Sequence, residues 1–293
     1  MSASSQRTSS VAPWFVGVAV LQLAHFIAVL SVRPADLPLV HDLAGWCSGL
    51  LAVAGTFAAA SAFGPGDYLR RVWGGLTAGA LLSLTSAALR SYWLHTVPDV
   101  PFTASPLLPF RMLVVVLANV ATTFALVLLA RTYRQSGLQP PSSPRGTALF
   151  AVTAVAALAV GIPALVTEAR NLLSGASSAP STVISLASTL ADMTIIFMVA
   201  PILRVAYMLR GGRLAWVWWA MGLSGATWLL YDARVWLAPL LPGTEAQAAE
   251  LLRSLRTSGL VLMGLAGWLQ RSALGPQKVE SAEPSLHASA GTP

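Results

Sequence analysis

Eight long windows of almost uninterrupted apolar residues restrict the fold of this chain more than any other feature. A helix that crosses a bilayer needs about 20 consecutive apolar residues, and each window is at least about that long. Within lipid, a helix also pairs nearly all of its own backbone N–H and C=O groups. The windows are Pro13 to Val32, His41 to Phe63, Val72 to Leu94, Leu107 to Ala130, Thr147 to Glu168, Thr182 to Met208, Leu214 to Leu237 and Leu251 to Gln270.

The composition supports a membrane protein. Hydrophobic residues make up 55% of the 293 residues and charged residues only 10%, with a mean hydropathy of +0.68. Soluble domains carry about 25% charged residues, and a soluble core could not bury this much apolar surface. We therefore predict an all-α integral membrane protein, a bundle of about eight transmembrane helices. The membrane domain is expected over residues 13–271, between a tail at 1–12 and a polar, disordered tail at 275–293.

Arginine and lysine are distributed unevenly between the two sets of loops, which predicts the orientation. One set of loops and span ends carries most of them, so we expect this side, and with it both termini, to be cytoplasmic. A single lysine among 18 basic residues indicates a GC-rich bacterial genome, hence a bacterial inner membrane. Because no basic stripe is present, the formal charge of +7 predicts topology and no nucleic-acid partner. The cytoplasmic set is Arg7, Arg70, Arg71, Arg131, Arg134, Arg145, Arg210, Arg213, Arg271 and Lys278.

Several residues recur at a fixed separation, which predicts an internal duplication. With four spans in each unit, the repeats 13–134 and 147–271 would share one orientation, as in the parallel repeats of some transporters. Chance recurrence in apolar sequence is the alternative. At an offset of 143 residues the matches are Arg70 with Arg213, Trp73 with Trp216, Gly79 with Gly222, and Trp93-Leu94 with Trp236-Leu237.

Ionisable residues within the spans gather toward the predicted outer side. A charged side chain costs about 2.5 to 3.5 kcal/mol at the bilayer centre, so such residues face the bundle interior or a wet cavity. His41, Asp42 and Arg256 lie at these outer ends, whereas the inner halves hold little beyond Arg204. We therefore predict a polar cavity open to the periplasm. The candidate ligand-binding residues are Asp192, Arg90, Arg111, Glu168, Asp232, Arg234, Arg253 and His25.

The excess of arginine in this region favours an anionic ligand. We expect the cavity to bind a small solute or a lipid head group, for transport or for sensing, in a protein whose constant partner is the lipid bilayer. The tail at 275–293 is too short for an output domain, so sensing would require a partner protein. Two alternatives stay open, which are a bundle merely locked by snorkelling side chains and ion pairs, and a structural or assembly subunit without a ligand.

Histidines in the first three spans, His25, His41 and His95, are the basis for a different alternative, a membrane-embedded enzyme or a haem or redox protein. The spans of the second half contain no histidine, and no metal-binding or phosphate-binding motif is evident. The single cysteine, Cys47, excludes an internal disulfide and is expected to be a small core residue. The sequence therefore identifies no catalytic residue, no metal site and no cofactor.

The run Gly222-Leu-Ser224-Gly225 resembles the short GxSG signature of the rhomboid intramembrane proteases. In that family a histidine on a later span activates the serine, and the resemblance would give Ser224 the role of nucleophile. The only histidine after Ser224 is His287 in the polar tail, so no span supplies the base. We therefore expect these small residues to permit close helix packing.

Asp192 is the acid placed most deeply within any span. An unpaired carboxylate there is too costly to keep charged, so we expect Asp192 to hold a proton or to meet a cation such as Arg90, Arg111 or Arg253. In either case its side chain should face the bundle and not the lipid.

Overall fold

A computed structural model describes residues 11–135, 144–175, 179–209 and 212–274. The predicted tail 275–293, and all but the last two residues of the predicted tail 1–12, lie outside the described residues. Within those ranges the chain is all-helical, with eight long helices and no strand. The helices are α1 (Ala12–Ser31), α2 (Leu37–Ser61), α3 (Tyr68–Thr96), α4 (Leu108–Gln135), α5 (Pro144–Leu173), α6 (Ala179–Met208), α7 (Arg213–Asp232), the single turn α8 (Arg234–Leu237) and α9 (Glu245–Ala273).

Six of the long helices, α1 to α6, are long and apolar enough to cross a membrane by length and composition. The remaining two, α7 and α9, are more polar. α9 carries Glu245, Glu250, Arg253 and Arg256 in its first half, and α7 is rich in tryptophan, whose amphipathic ring contributes less hydropathy than an aliphatic side chain.

Each predicted window lies mainly on one long helix, and the last two show what sets the helix ends. The seventh window was expected to reach Leu237, but α7 ends at Asp232. Arg234 Nη1 donates a hydrogen bond to the Tyr231 carbonyl oxygen at 2.8 Å, which satisfies a carbonyl left open by the helix end. The eighth window corresponds to α9, which begins at Glu245 because the Thr244 hydroxyl accepts a hydrogen bond from the backbone N–H of Gln247.

Six of the helices form a closed ring. α2 packs against α3, α3 against α4, α4 against α6, α6 against α7, α7 against α9, and α9 back against α2. α1 lies outside the ring against α9 and α2, whereas α5 lies outside it against α6. The order around the ring therefore departs from the order along the chain where α5 is displaced to the periphery.

The contact between α2 and α9 is made by backbone against backbone. A Cβ atom added at Gly55 would overlap the carbonyl group of Gly264, and one added at Gly267 would overlap the carbonyl group of Gly55. Helices approach this closely only where side chains are absent, and small residues therefore mark tight helix contacts in membranes. The opposite face of α2 exposes apolar side chains, and Cys47 is also exposed on α2. The expectation that Cys47 is a core residue is wrong.

Candidate functional site

A cavity of about 140 Å³ lies at the end of the bundle where α2, α4 and α9 begin and where α3 and α7 end. We call it the arginine cavity, because four arginines from three helices line it. Small residues of α2 and α3 leave the space open between them. The lining residues are His41, Asp42, Gly45, Gly49, Ser83, Leu84, Ala87, Arg90, Arg111, Tyr231, Arg253, Arg256, Thr257 and Leu260.

Arg90 is neutralised within the protein. Its Nη1 atom donates a hydrogen bond to Asp42 Oδ1 at 3.0 Å and so joins α3 to α2. The other carboxylate oxygen, Oδ2, lies 3.6 Å from His95 Nε2. Asp42 is buried, with 9% of its side chain exposed, so this ion pair is shielded from solvent far more than an ordinary surface pair.

Arg253 is also neutralised. Its Nη1 atom lies 3.3 Å from Oε2 and 3.4 Å from Oε1 of Glu250, one turn earlier on α9. The same carboxylate is 2.8 Å from His41 Nε2, which connects α9 to α2. One acid therefore serves both the arginine and the histidine.

Arg111 and Arg256 have no carboxylate within 4.0 Å in the described part of the chain. Arg111 Nε donates to the Ser86 carbonyl oxygen at 3.3 Å, and its guanidinium carbon lies 5.2 Å from the centre of the Phe102 ring. The guanidinium carbon of Arg256 lies 5.7 Å from the centre of the Trp228 ring. Four arginines set against the carboxylates of Asp42 and Glu250 leave two positive charges uncompensated at this end of the bundle.

A second cavity, of about 90 Å³, lies deeper between α3, α4, α6, α7 and α9. It adjoins the arginine cavity, since Ser83 and Leu260 line both. Most of its wall is apolar, but it contains Asp192 of α6 and Asp232 of α7, and we call it the carboxylate cavity. Among the described residues neither carboxylate has a hydrogen-bond partner or a cation within 4.0 Å.

Five of the predicted ligand-binding residues are brought together in these two cavities. Arg90, Arg111 and Arg253 line the arginine cavity, and Asp192 and Asp232 line the carboxylate cavity. The side chain of Asp192 thus faces the bundle interior, as predicted. Of the two alternatives expected for Asp192, contact with a cation is not found, because Arg90, Arg111 and Arg253 line the other cavity and none of them lies within 4.0 Å of its carboxyl group. The alternative that Asp192 holds a proton stays a prediction.

The other three predicted residues line neither cavity. Glu168 accepts a hydrogen bond from the Ser185 hydroxyl at 2.8 Å and joins α5 to α6. Arg234 is held at the end of α7, with its guanidinium 4.4 Å from the centre of the Tyr231 ring. His25 is buried on α1, with its ring centre 5.3 Å from that of His41.

The histidines do not converge on one point. His25 contacts His41, and neither ring nitrogen of His25 has a hydrogen-bond partner among the described residues. His41 is engaged by Glu250, and His95 lies on α3 with about half of its side chain exposed. No group of three or more histidine, cysteine, aspartate or glutamate side chains in the described ranges could hold a metal ion.

Arg256, Asp42 and Tyr231 line the arginine cavity but were not among the predicted ligand-binding residues. A local pattern could have identified Arg256, since it follows Arg253 by three positions and residues at i and i+3 share one helix face. Asp42 was recognised as an outer-end ionisable residue, but nothing local marks it or Tyr231 as part of the cavity, because both enter it through the packing of α2 and α7 against other helices.

Ser224 is a packing residue, as predicted. Its hydroxyl donates a buried hydrogen bond to the Gly259 carbonyl oxygen at 2.7 Å, which ties α7 to α9. On either side of it, a Cβ atom at Gly222 would overlap Leu203 and one at Gly225 would crowd Val199. The glycines therefore let α6 approach α7 closely.

No protein-family model, curated protein or solved structure matches this chain. The chemistry of the site is therefore inferred from its own geometry. A guanidinium presents N–H donors in a planar fork that fits the oxygens of a carboxylate or phosphate. Two such groups without a carboxylate partner, on the wall of a cavity this small, are suited to holding one oxyanion.

Proposed function

We propose that this chain is a multi-pass protein of a bacterial inner membrane that crosses the bilayer eight times with both termini in the cytoplasm. The six apolar helices support insertion, and the less apolar α7 and α9 complete the ring with α2, α3, α4 and α6. Reporter fusions after Arg70, Gln139, Gly212 and Pro276 should all be cytoplasmic. A periplasmic signal from any of the four would contradict this topology.

The arginine cavity, in this proposal, binds a small anionic solute or a lipid head group from the periplasmic side, for transport or for sensing. The observation that carries the proposal is that Arg111 and Arg256 have no carboxylate within 4.0 Å in the described part of the chain. A charge away from water is costly unless it is paired. An anionic ligand would supply that missing pairing.

A scaffold held by ion pairs accounts for part of the same region. The Arg90–Asp42 and His41–Glu250 contacts each join two helices, as such a scaffold requires. Arg111 and Arg256 are not used in this way, because their contacts are a backbone carbonyl and aromatic rings. The two interpretations therefore differ in what the removal of these two arginines does.

Thermal unfolding of the purified protein in detergent, with phosphate, sulfate and short carboxylates added, tests the binding site. A ligand at one hundred times its Kd stabilises the folded state by about 2.7 kcal/mol. We expect Arg111→Gln and Arg256→Gln each to weaken anion binding about tenfold or more, since each removes a charge-assisted contact. Uptake into liposomes would then separate a transporter from a sensor.

Arg33→Gln is the matched control for the anion site. Arg33 lies at the same end of the bundle but is exposed and already paired with Asp36 at 2.9 Å. Its loss should leave anion binding unchanged. If no anion raises the unfolding temperature, or if all three variants bind anions equally well, the proposed anion site is contradicted and a scaffold role is favoured.

We also propose that residues 13–134 and 147–271 are parallel repeats. The helix neighbours support this, since the contact of α2 with α9 has its counterpart in that of α6 with α4. The contacts α2–α3 and α3–α4 likewise correspond to α6–α7 and α7–α9. α1 and α5 both lie outside the ring, although α1 rests mainly on α9. An experimental structure in which the two units superpose only in inverted or permuted order would contradict the duplication.

A further inference from the structure

The two cavities adjoin each other and run from the end of the bundle toward its middle, and we refer to them together as the path. Ser83 of α3 and Leu260 of α9 line both of them. Trp228 lines the deeper cavity, and its ring lies 5.7 Å from the guanidinium of Arg256 in the outer one. A ligand that extends past these shared side chains would occupy both cavities.

The inner end of this path carries two acidic side chains. Asp192 and Asp232 come from different helices and line the same small cavity, with no hydrogen-bond donor or cation within 4.0 Å in the described part of the chain. The nearest arginines have other contacts, since Arg234 donates a hydrogen bond to the Tyr231 carbonyl oxygen and the guanidinium of Arg256 packs against the Trp228 ring. A buried acid without a cation tends to hold a proton, and an ammonium group that enters the cavity can pair with the acid as that proton is released to solvent.

The outer end carries positive charge, and one of its arginines, Arg256, also acts electrostatically on Asp232. Among the described residues, Arg111 and Arg256 have no carboxylate within 4.0 Å, whereas Asp42 and Glu250 neutralise Arg90 and Arg253. The path therefore begins with two guanidinium groups and ends with two acids, and none of the four forms an ion pair in the described part of the chain. A single negative or positive ion would satisfy only one end.

We propose that the two cavities together bind a zwitterionic ligand, whose phosphate or carboxylate contacts Arg111 and Arg256 and whose ammonium group contacts Asp192 and Asp232. This inference rests on the proposed anion site and specifies its ligand class. The ring of Trp228 beside the path adds an attractive face for the ammonium group. Free amino-alkyl phosphates and amino acids share this chemistry with the head group of phosphatidylethanolamine.

Paired ligands that differ only in the amine provide the test. Ethyl, propyl and butyl phosphate, and the same three chains with a terminal amine, are titrated calorimetrically into the full-length protein in maltoside. The three chain lengths cover the separation of the charged groups. At one length or more, the amine should tighten binding about tenfold or more, because an ion pair with a desolvated carboxylate is worth at least one such factor.

Asp192→Asn and Asp232→Asn test whether the amine binds at these acids. Each should abolish the extra affinity that the amine confers and leave the affinity for ethyl phosphate unchanged. Two variants are used in case one fails to fold. Glu168→Gln is the matched control, since Glu168 is an intramembrane acid that lines neither cavity and bonds to Ser185. It should keep the full preference for the amine.

The source of the ligand is resolved by a second pair. Short-chain phosphatidylethanolamine and phosphatidylglycerol share the lipid phosphate, but only the first carries an amine. Tighter binding of phosphatidylethanolamine than of free aminoethyl phosphate would identify a lipid head group, and the reverse order would identify a free solute. Either result supports the zwitterionic class.

Three results would overturn the inference. Equal affinity with and without the amine at all three lengths, or an amine preference that survives both aspartate variants, refutes the zwitterion alone, provided that Arg111→Gln still weakens ethyl phosphate. Failure of every phosphate and amino-phosphate to bind would refute the anion site and the zwitterion together. The two proposals can therefore fail separately.

Discussion

The helices α9 and α1 show opposite relations between sequence and burial. Fourteen of the 29 residues of α9 are buried, although it carries four charged residues in its first half and is not among the six helices apolar enough to cross a membrane by composition. α1 is one of those six, yet only His25 and Val29 of its 20 residues are buried. α5 resembles α1, since a single stripe of small residues such as Thr153, Ala157 and Gly161 faces its neighbour.

The difference follows from the solvent proposed for this protein. In water, apolar side chains are driven to the interior, but lipid tails are as apolar as leucine and provide no such force. The outer helices can therefore be uniformly apolar, whereas polar and small residues belong on the helices that other helices surround. In this chain, the two helices outside the ring, α1 and α5, are highly apolar and little buried, whereas the less apolar α9 is the one packed on several sides.

The largest expected effect is at the centre, where α9 meets α2. Gly264→Leu would place a side chain against the backbone of Leu51 and Ala52, and backbone cannot move aside as a side chain can. We expect a loss of about 3 kcal/mol or more in the free energy of unfolding, at the upper end for overpacked cores. Gly17→Leu on α1 is the control, since nothing lies within 4 Å of an added Cβ there. Equal unfolding temperatures of the two variants would break the comparison.

A smaller effect is expected from the buried ion pair at the arginine cavity. Asp42→Asn removes the partner of Arg90 and leaves a third uncompensated guanidinium, which should lower the free energy of unfolding by roughly 2 kcal/mol. The double variant Asp42→Asn with Arg90→Gln should recover part of that loss. Asp36→Asn, which breaks the exposed pair with Arg33, should change stability by about 0.5 kcal/mol or less. Similar losses from both pairs would show that the end of the bundle is open to water.

The attachment of α1 provides a finer test, because it depends on polar contacts. Gln22 donates from Nε2 to the Ser254 hydroxyl at 2.8 Å and accepts from the Ser258 hydroxyl, both on α9. Interhelical hydrogen bonds in membranes average about 0.6 kcal/mol each, so Gln22→Leu should cost roughly 1 kcal/mol in thermal unfolding. Leu23→Ala, on the exposed face of the same helix, should cost less. The opposite ranking would mean that α1 is held by apolar contacts.

The smallest effect is expected on the outer face of α5. Val155 is 65% exposed, so Val155→Ala should change the free energy of unfolding by about 0.5 kcal/mol or less. The measurement is the same thermal unfolding in detergent. A loss comparable to that at Gly264 would indicate that α5 is covered by another protein and not by lipid.

The number and positions of the helices follow from the sequence alone. Helix formation in an apolar window depends on residues close together in the chain, because backbone pairing within a helix is local. The Thr244 cap of α9 is a local signal too, since Thr244 and Gln247 form the start of a capping pattern. The gathering of ionisable residues toward one end could likewise be predicted, because the alternation of spans assigns every residue a depth.

Only the tertiary structure decided which of those residues meet. Arg90 finds Asp42 across 48 positions and His41 finds Glu250 across 209, and the choice depends on the order of helices around the ring. That order cannot be read from depth, because any two residues at one depth are equally able to pair until the neighbours of each helix are known. For the same reason Asp192 shares its cavity with Asp232 and not with an arginine, since α6 packs against α7. Arg90 pairs with Asp42 of α2, and Arg253 pairs with Glu250 of α9 itself.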